Sequence, residues 1–160
     1  MSYKAFVSYS HAADGKLTPA LQSALQNFAK PWHRLRTIRV FRDKTGLAAT
    51  PELRTSIEQA LAESEYFLLL ASPAAAASPW VQREVSWWLE KWRSVDQLFI
   101  VLTDGDLVWG ESDFDWQRTT ALPGNLRGQF KQEPLYIDLK WAKGSDDLPS
   151  GIRSFARRSS

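Results

Sequence analysis

Trp80, Glu84 and Trp87 recur at helical spacing in the segment 78–93, an arrangement that sets one carboxylate between two indoles. Such neighbours partly desolvate a carboxylate, which raises its pKa and sharpens its interaction with a developing cation. The chemistry it would serve is stabilisation of positive charge as a bond breaks. The same spacing also fits a surface glutamate paired with Arg83 or Lys91, and pairs of that kind are common and weak. Residue types alone do not decide between the two.

Other chemistries find few residues to carry them. There is no cysteine, so thiolate metal sites, disulfides and cysteine nucleophiles are excluded. His11 and His33 are the two histidines; neither an H-E-x-x-H zinc motif nor a nucleophile elbow is present. No G-x-G-x-x-G follows the first strand, and no Walker A motif occurs. Asp104, Gly105 and Asp106 have the residue types to hold Mg²⁺, but Asp-Gly is above all a turn dipeptide and reads as one here. No metal site is expected.

The elements that must position Glu84 follow from periodicity. Residues 3–9 alternate and are rich in aromatic and β-branched types, which predicts a strand. Leu17, Leu21, Ala24, Leu25 and Phe28 recur as on a helix, and 37–41 reads as a second short strand. A polar loop spans 42–50. Thr50 and Pro51 are the N-cap and first-turn proline of a helix whose inner face carries Leu53, Ile57, Ala60 and Leu61. The continuous apolar run 66–71 predicts a strand covered on both sides, and 97–102 another.

Between those two strands, Ser78 and Pro79 open a helix to about Arg93, with Val81, Val85, Trp88, Leu89 and Trp92 sharing the core face and Glu84 near its border. Residues 104–133 have no clear period beyond a short helical stretch near 126–130. A last strand at 135–139 and a terminal helix at 148–158 complete the pattern. Strands alternating with helices predict right-handed crossovers and one α/β domain over 1–160, with its core at about 3–158. Ligands in such sheets bind beyond the carboxyl ends of the strands.

The 160 residues suffice for one core, and 44% hydrophobic with 24% charged residues is the balance of a folded domain. A net charge of +2 is too small to point to nucleic acid or a membrane as partner. No apolar run approaches the roughly 20 residues of a membrane helix, and no leader pattern opens the chain, so a cytoplasmic protein is expected.

Four boxes carry a resemblance. Phe6, Val7, Ser8, Tyr9 and Ser10 resemble the F-[IV]-S-[YF] opening of TIR domains. Val40, Phe41, Arg42 and Asp43 resemble the end of their second strand entering the BB loop. Residues 69–73 resemble the third strand and its exit, and 78–85 the S-x-W-[VC]-x-x-E-[LIV] box of the third helix. The boxes fall in order and at the right spacing, so the chain resembles a bacterial-type TIR domain of the NADase-competent subset.

That resemblance implies a flavodoxin-like, doubly wound parallel five-stranded sheet of order 2-1-3-4-5 with helices on both faces. It also implies that Glu84 is the catalytic residue of an NAD⁺ glycohydrolase. Nicotinamide leaves NAD⁺ as a neutral molecule from a ring already cationic, so no general acid is needed, unlike in ordinary glycosidases. One glutamate can grip the ribose hydroxyls and stabilise the oxocarbenium-like carbon, giving ADP-ribose or a cyclic isomer.

Trp80 and Tyr9 offer aromatic faces for nicotinamide. Ser10 and His11, at the switch-point crevice, could bind ribose or phosphate, or form a plain βα turn. Arg42, Asp43 and Lys44 open a loop that could close over substrate or contact a neighbouring subunit, with Asp43 holding its shape. NAD⁺ is thus expected as substrate with no cofactor. The expected partners are other TIR domains, through self-association that can run into filaments.

The implied setting is bacterial antiphage signalling, with sensor or repeat domains commonly following such a domain and residues 155–160 standing where a linker would start. A non-catalytic TIR scaffold is the alternative of a different class. A phosphoryl-accepting receiver domain shares the topology but needs an aspartate where this chain has Ala71 and Ser72.

Overall fold

The computed structural model describes residues 3–10, 51–92 and 94–140. Four strands form one parallel sheet in the order β1, β2, β3, β4: Tyr3–Ser8, Ser64–Ala71, Leu98–Leu102 and Tyr136–Asp138. In register, Ser8 pairs with Leu69 and Ala71 with Leu102. That order is the 1-3-4-5 stretch of the expected arrangement. The expected strand at 37–41 and the helices at 17–28 and 148–158 lie outside the described residues, as does Thr50.

Three helices carry the crossovers: α1 at Pro51–Ala62, α2 at Pro73–Ala77 and α3 at Pro79–Trp92. On α1 the inner residues Ile57, Ala60 and Leu61 are buried as their spacing requires. The five-residue α2 falls between the expected strand 66–71 and the expected helix from Ser78 and Pro79, where the sequence reading placed no element. Its signal was present in the sequence: the Ser72 hydroxyl caps the Ala75 amide at 3.0 Å, Pro73 fills the first turn, and four alanines, the best helix formers, follow. α3 repeats the device, with Ser78 Oγ accepting from the Val81 amide at 3.3 Å.

Both faces of the sheet are buried because its strands alternate between two apolar clusters. Phe6, Phe67, Leu69, Ile100 and Leu102 join the helix residues Ile57, Leu61, Val81, Val85 and Trp88. Ala5, Val7, Tyr9, Leu68, Leu70, Val101 and Leu139 form the second cluster on the opposite face. The expected core stripe of α3 needs one revision at its end: Trp92 is 41% exposed, with its ring centre 5.7 Å from that of Trp88.

The segment between β3 and β4 is irregular yet firmly held. The Asp104–Gly105 dipeptide is a turn, with Gly105 at φ +80° and its amide donating to Asp104 Oδ1. A side chain at Gly105 would meet Thr120 Oγ1 at 2.8 Å and Pro73 at 2.9 Å. Phe114 sits edge-on to Trp109, Trp116 and Phe130 and is buried. The helical stretch expected near 126–130 is a three-residue 3-10 turn at Gly124–Leu126, since Gly128 adopts φ +74°, which ends any right-handed helix. Asn125 Nδ2 then donates to Gln82 O and Ser86 Oγ, fastening the segment to the outer side of α3.

Asp113 ties that segment's turns together. Its Oδ2 accepts from the Trp116 indole and from the Gly128 amide, both at 2.9 Å. Burial pushes the carboxyl up, but these bonds, the Phe114 amide and the Arg127 charge together outweigh it and hold it below the ordinary 3.8. A folded-state value below the unfolded one adds stability that is fully present above the unfolded value and lost as pH falls through the lowered one. The thermal midpoint of the wild type should therefore drop more between pH 7 and pH 3 than that of Asp113→Asn. Equal drops would remove Asp113 from the acid response.

Candidate active site

Glu84 and Ser8 meet at the carboxyl end of the sheet. β1 ends at Ser8, and strand alternation turns Phe6 and Ser8 toward the helix-covered face while Ala5, Val7 and Tyr9 turn away. From α3, whose start is fixed by the Ser78 cap and Pro79, the buried side chains are Val81, Glu84, Val85 and Trp88. Ser8 Oγ donates to Glu84 Oε1 at 2.9 Å across 76 residues of sequence. Ser8 is 0% and Glu84 1% exposed.

This places Glu84 deeper than its spacing suggested: on the buried face of α3 and not at its border. Helical periodicity could not see why, because the compensating donor lies on a strand. Burying a carboxylate is costly unless it is hydrogen-bonded, and Ser8 supplies such a bond. The surface-pair alternative loses its geometry, since Arg83 and Lys91 are exposed while the carboxyl is not.

The flanking indoles are half-buried shoulders of the same helix. Trp80 packs against the core with the Arg83 guanidinium 5.6 Å from its ring centre, and Trp87 carries Arg54 at the same distance. Both contacts leave the indoles anchored by cation–π attraction worth about 0.5–1 kcal/mol at exposed sites.

Of the other residues singled out, Tyr9 is buried among Ala5, Val7 and Leu70, so the sheet separates it from Ser8 and Glu84. Ser10 is buried just beyond β1, at the same sheet end as Ser8. His11, Arg42, Asp43 and Lys44 lie outside the described residues. Ser8 is the residue sequence reasoning passed over. It stands inside the F-V-S-Y box, and its signal was a lone polar residue at an inward-facing strand position.

Among the described residues no group of three or more His, Asp or Glu side chains could hold a metal ion. A cavity of about 710 Å³ is lined by Val95, Leu98, Phe99, Phe130 and Leu135 and opens at the amino ends of β3 and β4, away from Glu84. A second of about 500 Å³ lies outside α3 between Arg83, Trp87 and Asn125. Neither holds the carboxyl. No helix among the described residues is long and apolar enough to cross a membrane.

Comparison with known proteins agrees with the four boxes. The chain is 53% identical over 150 residues to the NAD(+) hydrolase ApTIR of Actinoplanes sp., a match covering 92% of this chain and 21% of that protein. The chain thus spans about a fifth of the length of that relative. Among solved structures it matches the TIR domains of the activated Roq1 resistosome directly recognizing the pathogen effector XopQ. That match has 22% identity and a TM-score of 0.48, over 66% of this chain and 60% of the other. The family profile described as TIR domain matches residues 5–146, nearly the whole chain, and on that ground the chain belongs to the TIR domain family.

Proposed function

We propose that this chain is an NAD⁺ glycohydrolase with Glu84 as its catalytic residue. The observation that carries the reading is a buried carboxyl, anchored by Ser8, at the sheet end where ligands of such folds bind. The similarity to a protein named NAD(+) hydrolase supports it. In the reaction the bond from the ribose anomeric carbon to the nicotinamide nitrogen breaks, its electron pair leaves with neutral nicotinamide, and the carboxylate stabilises the cationic carbon. Water then adds and gives up a proton to the solvent to yield ADP-ribose, or a nucleophile of the same molecule attacks with loss of its own proton and closes a cyclic isomer. Trp80 offers a ring face for the base, and Ser10 and His11 contact ribose or phosphate. Arg42 and Lys44 belong to the loop that meets substrate or a neighbouring subunit, and Asp43 shapes it.

A carboxyl 1% exposed meets ribose only after neighbouring chain moves aside. Self-association with other TIR domains supplies the binding energy for that rearrangement, so the isolated domain is a slow enzyme. The setting we propose is bacterial antiphage signalling in the cytoplasm. The test is incubation with NAD⁺ over a range of protein concentrations, with nicotinamide read by chromatography. Release per protein molecule should rise with concentration. Full turnover at nanomolar monomer would overturn the assembly requirement, and no release under crowding would leave a scaffold that only binds other TIR domains.

A further inference from the structure

We propose that Ser8 is a positioning residue for Glu84, its hydroxyl holding the carboxylate in the orientation that the bond-breaking step needs. This deepens the NAD⁺ hydrolase reading and rests on it. Four other buried hydroxyls among the described residues make a contrast with Ser8. Ser64 donates to Ala60 O, Thr103 to Ala71 O and Thr119 to Val108 O, and Ser72 accepts from the Ala75 amide. Each of these serves the backbone and so the fold. Ser8 spends its one proton on a side-chain carboxylate 76 residues away.

The direction of that bond matters. An ionised carboxylate only accepts, so a hydroxyl aimed at Oε1 makes a charge-assisted bond, shorter and more directional than a neutral one. Its rigidity matters as well. Ser8 is paired in the sheet with Leu69, on a strand whose residues 5–8 are buried, whereas a glutamate on a helix has three side-chain torsions to fix. Removing the hydroxyl leaves the packing of β1 nearly intact and takes away the bond that ties Oε1 to the strand, so the carboxyl is less firmly oriented. Misplacement of a reacting group by about 1 Å can cost ~100-fold in rate.

The test measures steady-state nicotinamide release by wild type and Ser8→Ala, together with denaturation midpoints of wild type, Ser8→Ala, Glu84→Met and the double variant. Ser8→Ala should lose at least about tenfold in kcat with KM within about twofold. The midpoint shift caused by Ser8→Ala should shrink in the Glu84→Met background, since the partner is gone. Wild-type kcat in Ser8→Ala, a loss confined to KM, or additive midpoint shifts would each overturn the proposal. Should wild type release no nicotinamide, the hydrolase reading fails, while the midpoints still decide whether Ser8 holds Glu84.

Discussion

Replacing Glu84 with glutamine should cut nicotinamide release from NAD⁺ by about 100- to 1,000-fold while leaving the domain folded. The magnitude is that of deleting one preorganised electrostatic group from a site shielded from water. Glutamine keeps the shape of the side chain and an oxygen that can still accept from Ser8, so the 2.9 Å contact has a replacement. What it lacks is the negative charge. A neutral amide offers an oxocarbenium-like carbon little stabilisation, and the effect belongs in kcat because the charge develops only in the transition state. The measurement is steady-state release at a protein concentration where wild type is active, with a circular-dichroism melt beside it. Undiminished turnover in Glu84→Gln would end the catalytic assignment. A variant that melts far below wild type would show that the carboxylate serves folding first.

Trp88→Ala should destabilise the domain by about 3–5 kcal/mol, the usual cost of deleting a large aromatic side chain from a core. Trp88 is fully buried and lies one turn beyond Glu84 on α3. Its ring centre is 5.5 Å from that of Phe67 on β2 and 5.7 Å from that of Trp92. A loss of this size is a large part of the roughly 5–15 kcal/mol that holds a typical domain together. Trp88→Phe should cost much less, for two reasons. Most of the packed surface survives, and the indole Nε1, buried with no hydrogen-bond partner, is removed along with its desolvation penalty of about 1–3 kcal/mol. Chemical denaturation of the three proteins checks the ranking. Equal losses for the two variants would mean that packing of the six-membered ring does not anchor α3 to the sheet.

How far the site was legible follows from where each signal lies. The S-x-W-V-x-x-E box placed Glu84 and Trp80 on one helix, and the Ser78–Pro79 start was read correctly because caps are local chemistry. The long segment 104–133 resisted reading for the opposite reason. It is held by bonds between distant residues, such as Asp113 to Gly128 and Asn125 to Gln82 and Ser86, that leave no period behind. Tyr9 shows a finer failure: its aromatic type suggested a stacking role, while strand alternation sent it to the face opposite Ser8.

By itself the sequence determined the family, the parallel α/β class, the two longer crossover helices and the candidate carboxylate, because periodicity, caps and short boxes are properties of neighbouring residues. Only the tertiary structure decided that Glu84 is buried and that Ser8 is the donor that meets it. The physical reason is that desolvation and its compensation depend on what a second element brings to the same point. A helix of amphipathic pattern records which side faces inward, and nothing in that pattern records the hydroxyl waiting on the strand beneath.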